Sequence, residues 1–171
     1  LEIIRRPPAG GNKYDYKNWA LNVDGVTSAY VYPLRRGLGT VDIAVTSAGG
    51  VPSDDIVRAV QTYIDEMRPV TAKESLVLKP STTSVAVTAA VKRDCTDLAA
   101  ATRAINAALA EYFGNLIPGD ALVASQIEAV ISNVPGVVDR RLTAPAASRA
   151  ADVAGKIEWF RLGGVSITVA V

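Results

Sequence analysis

Residues 41–67 read VDIAVTSAGGVPSDDIVRAVQTYIDEM, and within them the hydrophobic period changes from two to about 3.6. Val41, Ile43 and Val45 alternate with Asp42, Ala44 and Thr46, which is the pattern of a strand with distinct faces. After the turn at Ala48-Gly49-Gly50, Ser53 is a cap, and Asp54 and Asp55 sit where a helix N-terminus favours acids. Ile56, Val60, Ile64 and Met67 then fall on one helical stripe. A strand followed at once by an amphipathic helix predicts an α+β unit. The helix ends at Arg68-Pro69, because a residue before proline is pushed away from helical backbone.

Working outward, Val26 to Pro33 reads as a second β-branched and aromatic strand, joined to the first by the loop Leu34-Arg35-Arg36-Gly37-Leu38-Gly39. Asp15 is the expected cap of a short helix carrying Tyr16, Trp19, Ala20 and Val23, and Asp24-Gly25 ends it. Leu76-Val77-Leu78 adds a short strand. The second half repeats the ingredients. Val85, Val87, Ala89 and Val91 alternate with Ser84, Ala86, Thr88 and Ala90. An Ala-rich helix runs from about Thr96 to Phe113, with Leu98, Ile105, Leu109 and Tyr112 on its apolar side. Ser125-Gln126-Ile127-Glu128 has capping-box spacing and opens another helix. Val137 to Leu142 and Ile157 to Val171 are the closing strands. The fold class is therefore α+β: two small modules of antiparallel sheet packed with helices, αββαβ followed by βααββ. Residues 1–14 read as a linker from a missing N-terminal region, 15–80 as the first module and 81–171 as the second. Val23-Asp24-Gly25-Val26 and Val134-Pro135-Gly136-Val137, 111 residues apart, each close a helix and open a strand.

Composition narrows the function. The chain has 171 residues, 49% of them hydrophobic, with formal net charge +1 and no histidine. Without histidine there is no Ser-His-Asp or Cys-His catalysis and no imidazole metal ligand. One cysteine makes neither an intramolecular disulfide nor a thiolate zinc site. The charge balance argues against a nucleic-acid footprint, even though Tyr30 and Tyr32 alternate along one strand. No run approaches the ~20 apolar residues that span a bilayer.

The candidate chemical motifs are few. Gly37-Leu38-Gly39 precedes a strand rather than a helix, and Asp42 stands where a dinucleotide loop needs its third glycine. Asp54-Asp55 and Asp97 are placed as helix-start acids, and Asp65-Glu66 and Asp94 as solvated charges. Cys95 precedes a helix but has no base. Two arginine pairs remain, Arg35-Arg36 and Arg140-Arg141. They either solvate strand ends or contact a protein partner, where arginine is enriched. The expectation for the first pair is a solvent-projecting loop that meets an acidic or carbonyl-rich neighbour.

GNKYDYKNWALNVDGV, AYVYPLRRGLGTVDIAV and PSDDIVRAVQTYIDEMRPVTA together resemble the baseplate J-like proteins of Mu-like and P2-like phages. The resemblance is tight over Gly11 to Ala72. Beyond that, PGDALVASQIEAVISNVPGVVD and the last strand follow the family's closing module in order more than in identity. The resemblance implies a structural wedge component of a contractile-tail baseplate, located in the virion and assembled in the bacterial host cytoplasm. It implies contacts with other baseplate proteins and self-association in the full-length protein, whose ring-forming N-terminal region would precede Leu1. It implies no catalytic residue, metal, cofactor, nucleic acid, membrane or small-molecule substrate. Arg35, Arg36, Arg140 and Arg141 are the candidate partner contacts. The rival reading is a small-molecule-binding regulatory module, which would need a concave apolar pocket with convergent polar groups. Nucleic-acid binding ranks third and enzyme activity last.

Overall fold

A computed structural model describes residues 11–70, 72–94 and 97–170. Its elements are α1 (Lys13–Leu21), β1 (Ser28–Pro33), β2 (Thr40–Thr46), α2 (Asp54–Met67), β3 (Glu74–Leu78), β4 (Ser81–Arg93), α3 (Leu98–Asn115), α4 (Ala124–Ser132), β5 (Val137–Ala144) and β6 (Glu158–Val169). The class is α+β, and the element order is αββαβ followed by βααββ. The chain divides into two compact units, one reaching to Ser81 and including Val153–Ile157, the other made of Thr82–Asp152 and the residues from Glu158 onward.

In the first unit β2 lies between β1 and β3. It runs antiparallel to β1 but parallel to β3. The expectation of wholly antiparallel sheets is corrected here: α2 carries the chain back to the end of the sheet where β2 began, so β3 enters in the same direction. Ile43, Val45, Ala29 and Val77 pack with Tyr16 and Ala20 of α1 and Val60 and Ile64 of α2. Val60 and Ile64 are fully buried, each worth roughly 1.5–3 kcal/mol of apolar transfer. Ile56 is half-buried against this core. Met67, expected on the same stripe, is 44% exposed, because it is the last helical residue and Arg68 is already extended.

The first helix starts three residues earlier than the expected cap at Asp15 implies. Asn12 is its cap, its Oδ1 accepting from the amides of Tyr14 at 2.7 Å and Asp15 at 3.1 Å. Asp15 closes the capping box by accepting from the Asn12 amide. The amphipathic pattern marked this helix, but the short polar residue ahead of it sets the boundary.

In the second unit β4 is central, with β5 and β6 on its two sides. It runs antiparallel to β5. Gly163 lies against Ser84 and Val85, while the Ala170 amide donates to Val91 O at 2.9 Å, so β6 runs parallel to β4. A Cβ at Gly163 would stand 2.5 Å from Ser84 Oγ and 3.0 Å from Val85 O, so only glycine permits this approach. Val85, Val87, Ala89 and Val91 pack against Ile105, Leu109 and Phe113 of α3 and Ile127 and Ile131 of α4. Leu98, expected in this core, is half-buried in the first turn of α3 and stays outside it.

Asp97 caps α3, accepting from the Ala99 and Ala100 amides. The expected start at Thr96 lies outside the described residues. The capping box read at Ser125–Glu128 does not form. Val123 occupies the cap position without a side-chain bond, and Ser148 Oγ instead accepts from the Ala124 amide at 2.9 Å. A residue 24 positions away thus supplies the cap.

The sequence echo is a shared turn. Asn22 and Asn133 are the C-caps of α1 and α4, with φ, ψ of −77°, −10° and −79°, −6°. Gly25 and Gly136 follow at φ +89° and +88°, a region that favours glycine. Val26 donates to Val23 O and Val137 to Val134 O, both at 3.2 Å. The likeness stops at the next strand: β2 pairs with β1, but β6 pairs with β4 instead of β5.

Candidate functional site

The loop between β1 and β2 turns its two arginines inward. Asp42 belongs to the central strand, and its side chain is fully buried. Arg35 Nε donates to Asp42 Oδ2 at 2.5 Å, and Arg36 Nε donates to Asp42 Oδ1 at 2.7 Å. Arg36 Nη1 also reaches Glu74 Oε2 on β3 at 2.7 Å. Arg35 Nη1 reaches the carbonyls of Ala154 at 3.0 Å and Val153 at 3.5 Å, both part of the first unit. The hydrogen bonds to Asp42 and then to Glu74 raise the Arg36 pKa further. Side-chain exposure is 13% for Arg35 and 27% for Arg36.

This corrects the expectation that the arginine pair projects freely into solvent. Two cations share one buried carboxylate because the hairpin register places the end of the loop beside Asp42. Asp42 was missed as the anchor. Its signal was an acid in the centre of an otherwise apolar strand, closely preceded by two arginines. What the loop does present to solvent is apolar: Leu38 is 85% exposed and Leu34 57%.

A second buried carboxylate organises the other unit. Glu158, 1% exposed, accepts from Thr83 Oγ1 at 2.6 Å, from the Asp152 amide at 3.0 Å and from Arg149 Nη2 at 3.0 Å. The Thr83 and Asp152 hydrogen bonds, with Arg149 behind them, lower its pKa to about 2. Arg149 also lies over the Phe160 ring at 4.6 Å. The charge in Ile157-Glu158-Trp159-Phe160 was its sequence signal.

Arg140 and Arg141 differ from the first pair. They lie on β5, which among the described residues pairs with β4 alone. Arg140 meets Glu128 of α4 at 3.5 Å, and its Nε finds no acceptor among the described residues. Arg141 is exposed. Cys95 lies outside the described residues. Among the described residues no cluster of three or more His, Cys, Asp or Glu side chains could hold a metal, and no helix is long and apolar enough to cross a membrane.

Fold and site together define a pair of small α+β modules, each holding a buried carboxylate that an arginine of the same unit engages. The baseplate J-like central domain matches residues 8–89, and the baseplate J-like protein C-terminal domain matches residues 85–168. The chain belongs to the baseplate J-like family. It is 31% identical to the Mu-like prophage FluMu protein gp47 of Haemophilus influenzae over 174 residues, which cover 92% of this chain and 48% of that protein. It is 30% identical to the baseplate protein gp47 of Escherichia phage Mu over 177 residues, again 92% and 48%. The chain thus spans about half the length of these curated relatives. In the cryo-EM structure of the anti-feeding prophage baseplate, one chain shares the fold with a TM-score of 0.68 at 10% identity, covering 95% of this chain and 39% of that one.

Proposed function

We propose that the chain forms part of a structural component of a contractile-tail baseplate and works through protein–protein contacts, without catalysis. The observation that carries this reading is the pair of adjacent family matches from residue 8 to 168, supported by a relative named as a phage Mu baseplate protein. The inventory of side chains agrees with it. Asp42 and Glu158, both buried, are engaged by arginines of their own unit. The working location is the virion tail baseplate, with assembly in the host cytoplasm. The modules extend over about 15–80 and 81–171.

The partner contacts fall to Arg140 and Arg141 on the open edge of β5, facing other baseplate proteins rather than nucleic acid, membrane or a small-molecule substrate. Arg141 is exposed, and among the described residues the Arg140 guanidinium meets Glu128 at 3.5 Å. An acidic neighbour would complete both. The test is charge reversal: Arg140→Glu with Arg141→Glu in the full-length protein, followed by isolation of tails. The expected result is a folded protein that no longer copurifies with baseplates, since like charges facing each other across an interface are costly. Normal incorporation would refute the assignment of this edge.

A further inference from the structure

We propose that Gln61 guards an edge of the first sheet. Its side-chain carboxamide holds the position where a strand of another molecule would bond β3, and so keeps that edge closed. Among the described residues β3 pairs with β2 alone, which leaves its other edge facing away from the sheet. Such an edge carries amides and carbonyls that recruit further strands. Here the Val77 amide donates to Gln61 Oε1 at 2.7 Å, and Gln61 Nε2 donates to Ser75 O at 3.2 Å. A carbonyl and an amide on either side of one residue, here Leu76, are the pair that an added strand bonds. One carboxamide engages both.

The amide is fixed in this sense. The Val77 N–H can only donate, so it needs Oε1, and on the other side Asp65 Oδ2 accepts from Gln61 Nε2 at 2.9 Å. Asp65 Oδ1 also accepts from Ser75 Oγ at 3.2 Å and meets Arg68 Nε at 3.2 Å. Gln61 and Asp65 lie four residues apart on one face of α2, and each follows a fully buried residue, Val60 or Ile64. The helix that fills the core thus carries the guard on its flank beside β3. Ser75 and Val77 are buried, so losing Gln61 leaves a buried amide and carbonyl unpaired. Leu76 between them is exposed on the opposite face of the sheet, where it would give an incoming strand an apolar contact.

The test compares three variants of the 171-residue chain. Gln61→Met keeps the length of the side chain and removes both bonds. Gln61→Asn keeps the carboxamide but shortens its reach by a methylene. Ile64→Val weakens the same helix and leaves the guard in place. By NMR hydrogen exchange, the Val77 amide should exchange roughly tenfold faster in both Gln61 variants than in the unchanged chain. On incubation at sub-millimolar concentration, both should gain thioflavin-binding, β-rich assemblies beyond any formed by the unchanged chain or by Ile64→Val. Adding Leu76→Lys should abolish that gain, because lysine on an edge opposes strand pairing. No gain in either Gln61 variant, an equal gain in Ile64→Val, or a gain that survives Leu76→Lys would overturn the proposal. If Gln61→Met does not fold by circular dichroism, Gln61→Asn carries the comparison; failure of both to fold would make Gln61 a support of α2 and also counts against it. Every variant leaves β5 unaltered, so the outcome is separate from the partner contact assigned to that strand.

Discussion

Asp42→Ala removes the shared anchor of the β1–β2 loop. It leaves the Arg35 guanidinium, only 13% exposed, without its 2.5 Å partner, and removes one of the two carboxylates held by Arg36. Breaking a buried ion pair from one side costs about 3–5 kcal/mol. Arg36 keeps Glu74, and both guanidiniums can turn toward water, so the expected loss is about 3 kcal/mol, at the low end of that range. For a unit of this size, that loss lowers its melting temperature by roughly 12–24 °C at about 4–8 °C per kcal/mol. Urea unfolding followed by Trp19 fluorescence reads the first unit, once Trp159→Phe removes the second signal. Asp42→Leu combined with Arg35→Met and Arg36→Met should recover most of the loss, because no charge is then left buried and unpaired. A loss under about 1 kcal/mol for Asp42→Ala, in the range of exposed pairs, would show that the arginines do not depend on this carboxylate. The inward reading of the loop would then be wrong.

The Glu158 pKa is lowered to about 2, so its contribution is fully present above the ordinary carboxylate value of about 4.5 and is lost as pH falls through about 2. Discounting for Arg149, whose side chain is 53% exposed, leaves about 2 kcal/mol that Glu158→Gln should abolish. A Glu158→Gln protein with the same stability difference between pH 7 and pH 3 as the unchanged chain would count against it. Gly163→Ala should cost roughly 1–3 kcal/mol by overpacking, because its Cβ meets Val85 backbone as well as Ser84. Adding Ser84→Ala should relieve only part of that loss in urea unfolding followed by Trp159 fluorescence, with Trp19→Phe removing the first unit's signal. Ile64→Ala should cost roughly 2–5 kcal/mol as a fully buried truncation, whereas Met67→Ala should change stability by under about 0.5 kcal/mol. Equal losses at the two positions would contradict the observed end of the α2 stripe.

The order of elements was legible because each has a clean period. Residues 41–67 alone contain a strand and a helix whose apolar faces must meet. Boundaries were less legible where caps came from elsewhere: Asn12 starts α1, and Ser148, far along the chain, completes α4. Strand direction was hidden because periodicity reports which face is buried and carries no information on polarity. β3 and β6 therefore joined their sheets in parallel against expectation. The arginine pairs illustrate the same limit. Adjacent in sequence and alike in type, one pair is consumed by a buried aspartate, while the other lies on an open edge. Only pairing register separates them, since it brings Asp42 within reach of Arg35 and Arg36 and sets Arg141 opposite Ala90.

The most direct measurement of the baseplate assignment is electron microscopy of tail particles from cells in which the gene for the full-length protein has been deleted. The account predicts tails without a complete baseplate, restored by the unchanged gene and not by one carrying Arg140→Glu and Arg141→Glu. Intact baseplates in the deletion strain would contradict it.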